Sequence, residues 1–447
     1  MNRNLLAIFV TACFSWPPAM AAACPFCSSV SPTFAEEMQG ARSVIIAVLR
    51  EQADCTDAGQ STDACGVGER EFYAMQILRG PQLRMIPAFL LGDAEPGASF
   101  YLTANEMEGE LSWSLPIPVS PVLAEYLANV SQMPLDDPGR LRFFYDFLEH
   151  PEPLISADAY SEFGRAPYSE VRRLGSLLNR EHLLRLASDP KVSFSRRRLY
   201  ITLLGICGNA DDAEAVRAMI ESTEPEFRST LDAALACYVS LAGERGLEYL
   251  EQQFLQKAPF DESLALACIA AIRFHGEEDL RIPRSRLLRS LRLVLDHPPA
   301  ADLVLADLAR WNDWSQINRV VELFQNTGDD SWHIRVPVAR YLLACPLSEA
   351  EVALAQLERQ HPQSVRDARL TMLPRGRAAG NAAATPAATM ELSQSPVHKI
   401  PETVVEAPSE EFWSRVPVSP IVSLFALIVM GGLYNRMRRR TFRRASE

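Results

Sequence analysis

The sequence predicts a mainly α-helical protein: an α-solenoid, preceded by a small five-stranded β barrel and followed by one C-terminal transmembrane helix. Short runs of alternating apolar residues before residue 120 indicate β-strands. Apolar residues then recur with helical spacing from about residue 121 to 371, and an uncharged apolar stretch spans residues 416–434. A hydrophobic content of 48% and a charged content of 22% are ordinary for globular protein.

The two ends of the chain predict its location. Residues 1–23 resemble a secretory signal peptide, with Arg3, an apolar run over 5–14 and three alanines at 21–23. Residues 416–434 are followed by a tail, 435–447, with six arginines, which is typical of a stop-transfer helix with a cytoplasmic basic flank. We therefore expect a single-pass, type I protein of the cytoplasmic membrane, with most of the chain on the periplasmic side. The alternative is that the apolar helix and its arginines form a sorting signal that is removed.

Residues 24–120 predict the β domain. Five strands are expected, separated by Gly, Asp, Pro and Asn, over 43–51, 71–79, 84–91, 98–105 and 110–115. A short helix is expected just before them, over Phe34–Met38. Because closure removes exposed strand edges, five short strands favour a small barrel.

Residues 121–371 predict paired helices. First helices begin near Ser193, Phe227, Asp261, Leu303 and Ser331, a repeat of roughly 30–40 residues, and two further pairs are expected over 140–164 and 168–188. Because one helix pair cannot bury its apolar faces alone, successive pairs are expected to stack as a solenoid. Residues 372–415 are rich in Ala, Pro, Thr and Glu and predict a disordered linker to the membrane helix.

Cysteines near the start of the mature chain are the strongest candidate site. Cys24 and Cys27 form a C-x-x-C, and Cys55 and Cys65 flank a polar loop between the first two strands. Export favours disulfides, and we expect Cys24–Cys27 and Cys55–Cys65 among the three possible pairings. A redox-active Cys24–Cys27 dithiol and a four-thiolate zinc site are the alternatives.

The remaining cysteines, at 207, 237, 268 and 345, fall on apolar helical stripes, so we expect them to be free and buried. No other motif of catalysis or of metal, nucleotide or cofactor binding is present, so we expect no cofactor, no metal and no enzymatic activity. Residues 275–279 (HGEED) predict a solvated turn between helices rather than a metal site.

The net charge of the chain indicates which class of partner it can bind. Without Arg3, the six tail arginines and Glu447, the chain keeps 37 basic and 55 acidic residues, a net charge near −18. This balance argues against nucleic acid and against anionic membrane surfaces as partners. Nearly all positive charge is arginine, which either reflects codon composition or serves a phosphate site.

Three resemblances extend these predictions. The helix pairs over about 140–371 resemble HEAT repeats in length and stripe pattern. The β block, with its leading cysteines and the strands SVIIAVLRE and FYAMQILRG, is similar to the netrin-like or metalloprotease-inhibitor OB barrel. In that family an N-terminal cysteine can chelate a partner's zinc, which the resemblance extends to Cys24. The segments CPFCSSVSPTFAEEM (24–38) and RLRFFYDFLEHPEPLISADAYSEFGRAPYSEV (140–171), with the C-terminal helix, resemble an uncharacterised bacterial family of exported, membrane-anchored proteins.

The function expected from the sequence is therefore a membrane-anchored binding or scaffold protein that presents its solenoid to protein partners. No small-molecule substrate is evident. The alternative is a membrane-tethered thiol-disulfide oxidoreductase that uses Cys24 and Cys27.

Overall fold

The computed structural model describes residues 31–50, 67–95, 97–137, 139–328 and 332–372. These residues form a mainly helical protein with an antiparallel, nearly closed β barrel on its N-terminal side. The predicted signal peptide (1–23), linker (372–415, apart from its first residue), membrane helix (416–434) and tail (435–447) lie outside the described residues. Across the described ranges, every helix is too short or too polar to cross a bilayer.

Six strands form the barrel, and the five that the sequence predicts are confirmed to within a few residues. They are β1 Ser43–Leu49, β2 Val67–Arg79, β3 Met85–Leu91, β4 Ser99–Met107, β5 Glu110–Trp113 and the unpredicted β6 Ile117–Pro118. Their order is β3-β2-β1-β4-β5, with β6 beside β4, and all pairings are antiparallel. Because β4 returns to lie beside β1, the connection is a Greek key, and β3 also contacts β5.

The central strand β1 is buried on both faces, which explains its unbroken apolar run. Ile45, Ala47 and Leu49 face the barrel interior. Val44 and Ile46 point the other way and join the core of the helical part. Since side chains alternate along a strand, one seven-residue segment connects the two cores.

The first six helices lie around the barrel and at the start of the helical part. They are α1 Phe34–Gly40, α2 Pro121–Gln132, α3 Arg140–Tyr145, α4 Pro153–Arg165, α5 Tyr168–Arg173 and α6 Arg180–Ser188. The predicted helix before the first strand is confirmed as α1, which begins with a capping box between Thr33 and Glu36.

The five predicted helix pairs are confirmed. They are α7 Phe194–Cys207 with α8 Asp212–Glu221, α10 Leu231–Ala242 with α11 Glu244–Leu250, α12 Glu262–Phe274 with α13 Arg284–Leu293, α14 Asp302–Arg310 with α15 Ile317–Asn326, and α16 Trp332–Ala344 with α17 Ser348–Gln360. A short helix, α9 Pro225–Arg228, precedes α10, and α18 Pro362–Met372 follows the last pair. Each first helix packs on the first helix of the next pair, and α18 packs on α16.

The turn between α7 and α8 shows how close this packing is. Gly208 follows the last residue of α7 in an extended backbone conformation, which ends the helix. A Cβ at this position would lie 2.6 Å from the carbonyl oxygen of Leu204 and 2.9 Å from the Leu241 side chain. Glycine therefore permits the close approach of α10 at this point.

The predicted solvated turn at residues 275–279 was wrong. These residues form a π-helical segment that continues α12, and both His275 and Asp279 are buried. The charged residues of this segment gave no signal of burial. Asp279 pairs locally with His275 and Arg281, but the helices that pack on the segment, α5 and α10, are distant in sequence.

Candidate functional site

The four cysteines predicted as a disulfide or redox site, Cys24, Cys27, Cys55 and Cys65, lie outside the described residues. Their pairing and redox state therefore stay predictions.

The four cysteines of the helical region are free as predicted, and three of them are buried as predicted. Cys237, Cys268 and Cys345 are buried, Cys207 is half-buried, and all four are free. Burial raises the pKa of the Cys207 thiol to about 11 and raises the pKa of Cys237 and Cys268 further. A thiol held in its protonated form is a poor nucleophile, so these side chains act as small apolar core residues.

Arginines connect successive helix pairs through carboxylates at nearly constant separations in sequence. The bonded pairs, each 32–35 residues apart, are Arg180–Asp212, Arg198–Asp232, Arg273–Asp307, Arg310–Glu277 and Arg286–Glu251. The separation matches the helical repeat, so each pair joins neighbouring repeats. Each of these arginines pairs with a carboxylate of the protein itself, so these arginines do not form a phosphate site. The recurring separation between an arginine and an acidic residue was the sequence signal for these pairs, and the apolar periodicity alone did not reveal it.

The buried segment 275–279 is a structural junction. The Nε2 atom of His275 lies 3.0 Å from the carbonyl oxygen of Ala236, and its Nδ1 lies 3.1 Å from Oδ2 of Asp279. Both contacts are acceptors, so a ring nitrogen that carries a proton has a partner on either side of the imidazole. Burial acts to raise the pKa of Asp279, but hydrogen bonds from His275 and Arg281 outweigh it and hold that pKa below its usual value.

The same junction reaches further helices. Arg281 donates to the carbonyl oxygens of Gly205 and Ser240, near the C-terminal ends of α7 and α10, where a cation is favoured by the helix dipole. The cavity beside it, lined by Tyr168, Cys237 and their neighbours, measures about 10 Å³. That volume holds a single water molecule at most, so no substrate fits here.

A larger, open groove of about 400 Å³ crosses the N-terminal halves of α7, α10 and α12. Leu231, Leu264 and Leu266 form much of its apolar lining, and Ala267 and Ala270 let the surface dip between the helices.

The rim of the groove is polar. Arg198 and Asp232 form an ion pair between α7 and α10. Ser229 and Ser263 present hydroxyl groups, and Arg228 is exposed. The Arg228 guanidinium lies close to the carboxylate of Asp261, which caps α12, so its positive charge at the rim is partly balanced by that carboxylate. The groove can thus accept an apolar side chain while its rim pairs with backbone or carboxylate groups.

Large apolar side chains are exposed near the same edge of the helical layer. The groove brings together the N-terminal parts of α7, α10 and α12. Phe194 at the start of α7 is 52% exposed, Leu266 in the groove 44%, and Trp332 at the start of α16 72%. Exposed aromatic and aliphatic side chains around a groove are typical of a protein interaction site.

The chain matches no family model, no curated protein and no solved structure. Within the described ranges, no group of three or more His, Cys, Asp or Glu side chains is placed to hold a metal ion.

The groove residues were not singled out from the sequence. Ser229, Ser263 and Arg228 stand in ordinary polar turns and helix starts, and only the stacking of three helices brings them together.

Proposed function

We propose that this protein is a binding or scaffold protein that holds an extended segment of a partner protein along the N-terminal edge of its stacked first helices. The observation that carries the proposal is the open groove across α7, α10 and α12, which three successive helix pairs build jointly. Stacked helical repeats present long continuous surfaces, and such surfaces suit extended polypeptides.

The proposal includes a HEAT-like solenoid and an OB-like barrel. Support for the solenoid comes from the first helices, which pack in succession, and from ion pairs that recur at the repeat distance. Support for the OB-like barrel comes from the strand order β3-β2-β1-β4-β5 together with the contact between β3 and β5.

We further propose that this surface lies outside the cytoplasm on a membrane anchor, as the signal-like and stop-transfer patterns at the two ends of the sequence predict. The excess of acidic residues supports a protein partner over a nucleic acid.

Site-specific photocrosslinking in cells tests the binding surface. A photoreactive phenylalanine analogue at Ser263 faces the groove, and the same analogue at Arg289 on the exposed side of α13 is the matched control. We expect one discrete crosslinked partner from position 263, lost when Arg228→Glu and Leu266→Asp are added. Equal crosslinking from both positions, or a product that the added substitutions do not change, would contradict the proposal.

A further inference from the structure

The sequence segments 24–38 and 140–171 resemble the exported bacterial family, and the described part of the first, 31–38, meets the second in the structure. Helix α1 packs beside α2 and α4, and the backbone N–H of Phe34 donates to Oδ1 of Asp158 at 2.7 Å, across 124 residues of sequence. Asp158 thus caps the first turn of a helix to which it is not adjacent in the chain. The Phe34 ring also packs edge-on against Tyr101 of β4, so α1 lies between the barrel and the helical part.

Asp158 is buried among groups of mixed charge. It is 6% exposed, and its second oxygen accepts a hydrogen bond from the Tyr126 hydroxyl at 2.7 Å. Its neighbours on α4 and α3 are Glu162 and Arg140, which bond each other through both carboxylate oxygens. From α1, Glu37 adds another carboxylate, with part of its side chain still in contact with solvent.

The cluster therefore holds three carboxylates and a single arginine, which Glu162 already engages. Burial, opposed by the bonds from Phe34 and Tyr126, raises the pKa of Asp158 to about 6. Desolvation and repulsion from Asp158 and then Glu36 act to raise the pKa of Glu37, but the residue is exposed and solvent screens this shift, so Asp158 is the group whose titration decides. At the rim of the cluster, Glu36 pairs with Arg165 of α4. This arginine does not neutralise the carboxylates inside the cluster.

A second observation marks the same place. The Tyr101 hydroxyl is buried and has no hydrogen-bond partner among the described residues. Glu37 and Asp158 both lie near enough to add to the rise in its pKa, so the hydroxyl belongs to this cluster. If either carboxyl group takes up a proton, its new O–H group can therefore donate a hydrogen bond to another oxygen atom of the cluster.

We propose that the contact between α1 and α4 is a proton-controlled latch, in which Asp158 holds α1 most firmly when the cluster is protonated and releases it more readily when the cluster is fully ionised. A folded-state pKa above the unfolded value means that the docked form binds more protons than the undocked form. For Asp158 the stabilisation is then complete below about pH 4 and is lost as the pH rises through about 6. This inference does not depend on the groove or on its partner.

Hydrogen exchange of the full-length protein, followed by mass spectrometry at pH 5 and pH 8, tests the latch. For a group whose pKa falls from about 6 to its ordinary 3.8 on undocking, the protection factor of α1 is expected to fall about tenfold between these pH values. The Asp158→Asn variant keeps an acceptor for Phe34 N–H and cannot ionise, so its α1 protection should fall much less than tenfold. The control Glu125→Gln, on the solvent face of α2, should retain the tenfold fall.

Glu37→Gln provides an independent variant if Asp158→Asn does not fold. Removal of this neighbouring charge should make the fall in α1 protection smaller than in the unmodified protein. Equal α1 protection at pH 5 and pH 8 in the unmodified protein would overturn the latch. An unchanged tenfold fall in either Asp158→Asn or Glu37→Gln would overturn it as well.

Discussion

Replacement of Gly276 by alanine tests how tightly the segment after α12 is packed. A Cβ at residue 276 would lie 2.4 Å from the Cζ2 and Cη2 atoms of Trp311. Carbon atoms in contact prefer 3.5–4.0 Å, so the indole has to move by more than about 1 Å. Trp311 is buried, and the Arg284 guanidinium lies 5.4 Å from its ring centre while donating to the Gly276 carbonyl oxygen.

The expected cost follows from this geometry. Overpacking a well-filled core costs about 1–3 kcal/mol, and a large, rigid indole with a cation stacked on it places Gly276→Ala near the upper value. At roughly 2–4 °C for each kcal/mol in a body of this size, we expect the melting temperature to fall by about 5–10 °C. Circular dichroism at 222 nm during heating measures it.

Two controls separate packing from a general effect of alanine. Gly40→Ala adds a methyl group with nothing within 4 Å, at a position without positive φ, so stability should be unchanged or slightly higher. In a Trp311→Phe background the smaller ring vacates the contact, so Gly276→Ala should cost much less than in the parent. A loss of stability that is the same in both backgrounds, or no loss in the parent, would refute the reasoning.

Three further predictions concern the stack of helix pairs. Asp307→Ala removes the fully buried carboxylate that binds Arg273. Because that arginine is about one-third exposed and reaches water, we expect the free energy of unfolding to fall by about 1–3 kcal/mol. Urea denaturation measures this loss, and an unchanged midpoint would contradict the prediction. Iodoacetamide at pH 8 should not label Cys237 and Cys268 until denaturant is added, since burial holds both thiols protonated. Mass spectrometry measures the labelling, and rapid labelling of the native protein would contradict the prediction. Arg197→Met should lower stability by about 2–4 kcal/mol, because the buried guanidinium donates to three backbone carbonyl oxygens, those of Asp189 and Val192 before α7 and that of Glu226 in α9. A chemical denaturation curve matching the parent would exclude that role.

Local sequence pattern predicted most elements of the fold. Alternation over short runs located five strands, and apolar spacing located the five helix pairs, because both periods arise from backbone geometry within one element. The same reasoning identified Cys237 and Cys268 as core residues, since each falls on the apolar stripe of its own helix.

The burial and the partners of charged groups were not predicted from the local sequence pattern. His275 and Asp279 look solvated in sequence but are buried, because distant helices pack on them. Arg172 of α5 donates to the Asp279 carbonyl oxygen, and the Ala236 carbonyl oxygen of α10 contacts the His275 ring. Asp158 gave no signal of its link to Phe34, which is 124 residues away in the chain. An apolar residue needs only to be covered, so its own element determines on which side it lies. The role of a buried ionisable group depends on where each oppositely charged or hydrogen-bonding atom is placed, and only the folded packing of distant segments decides that.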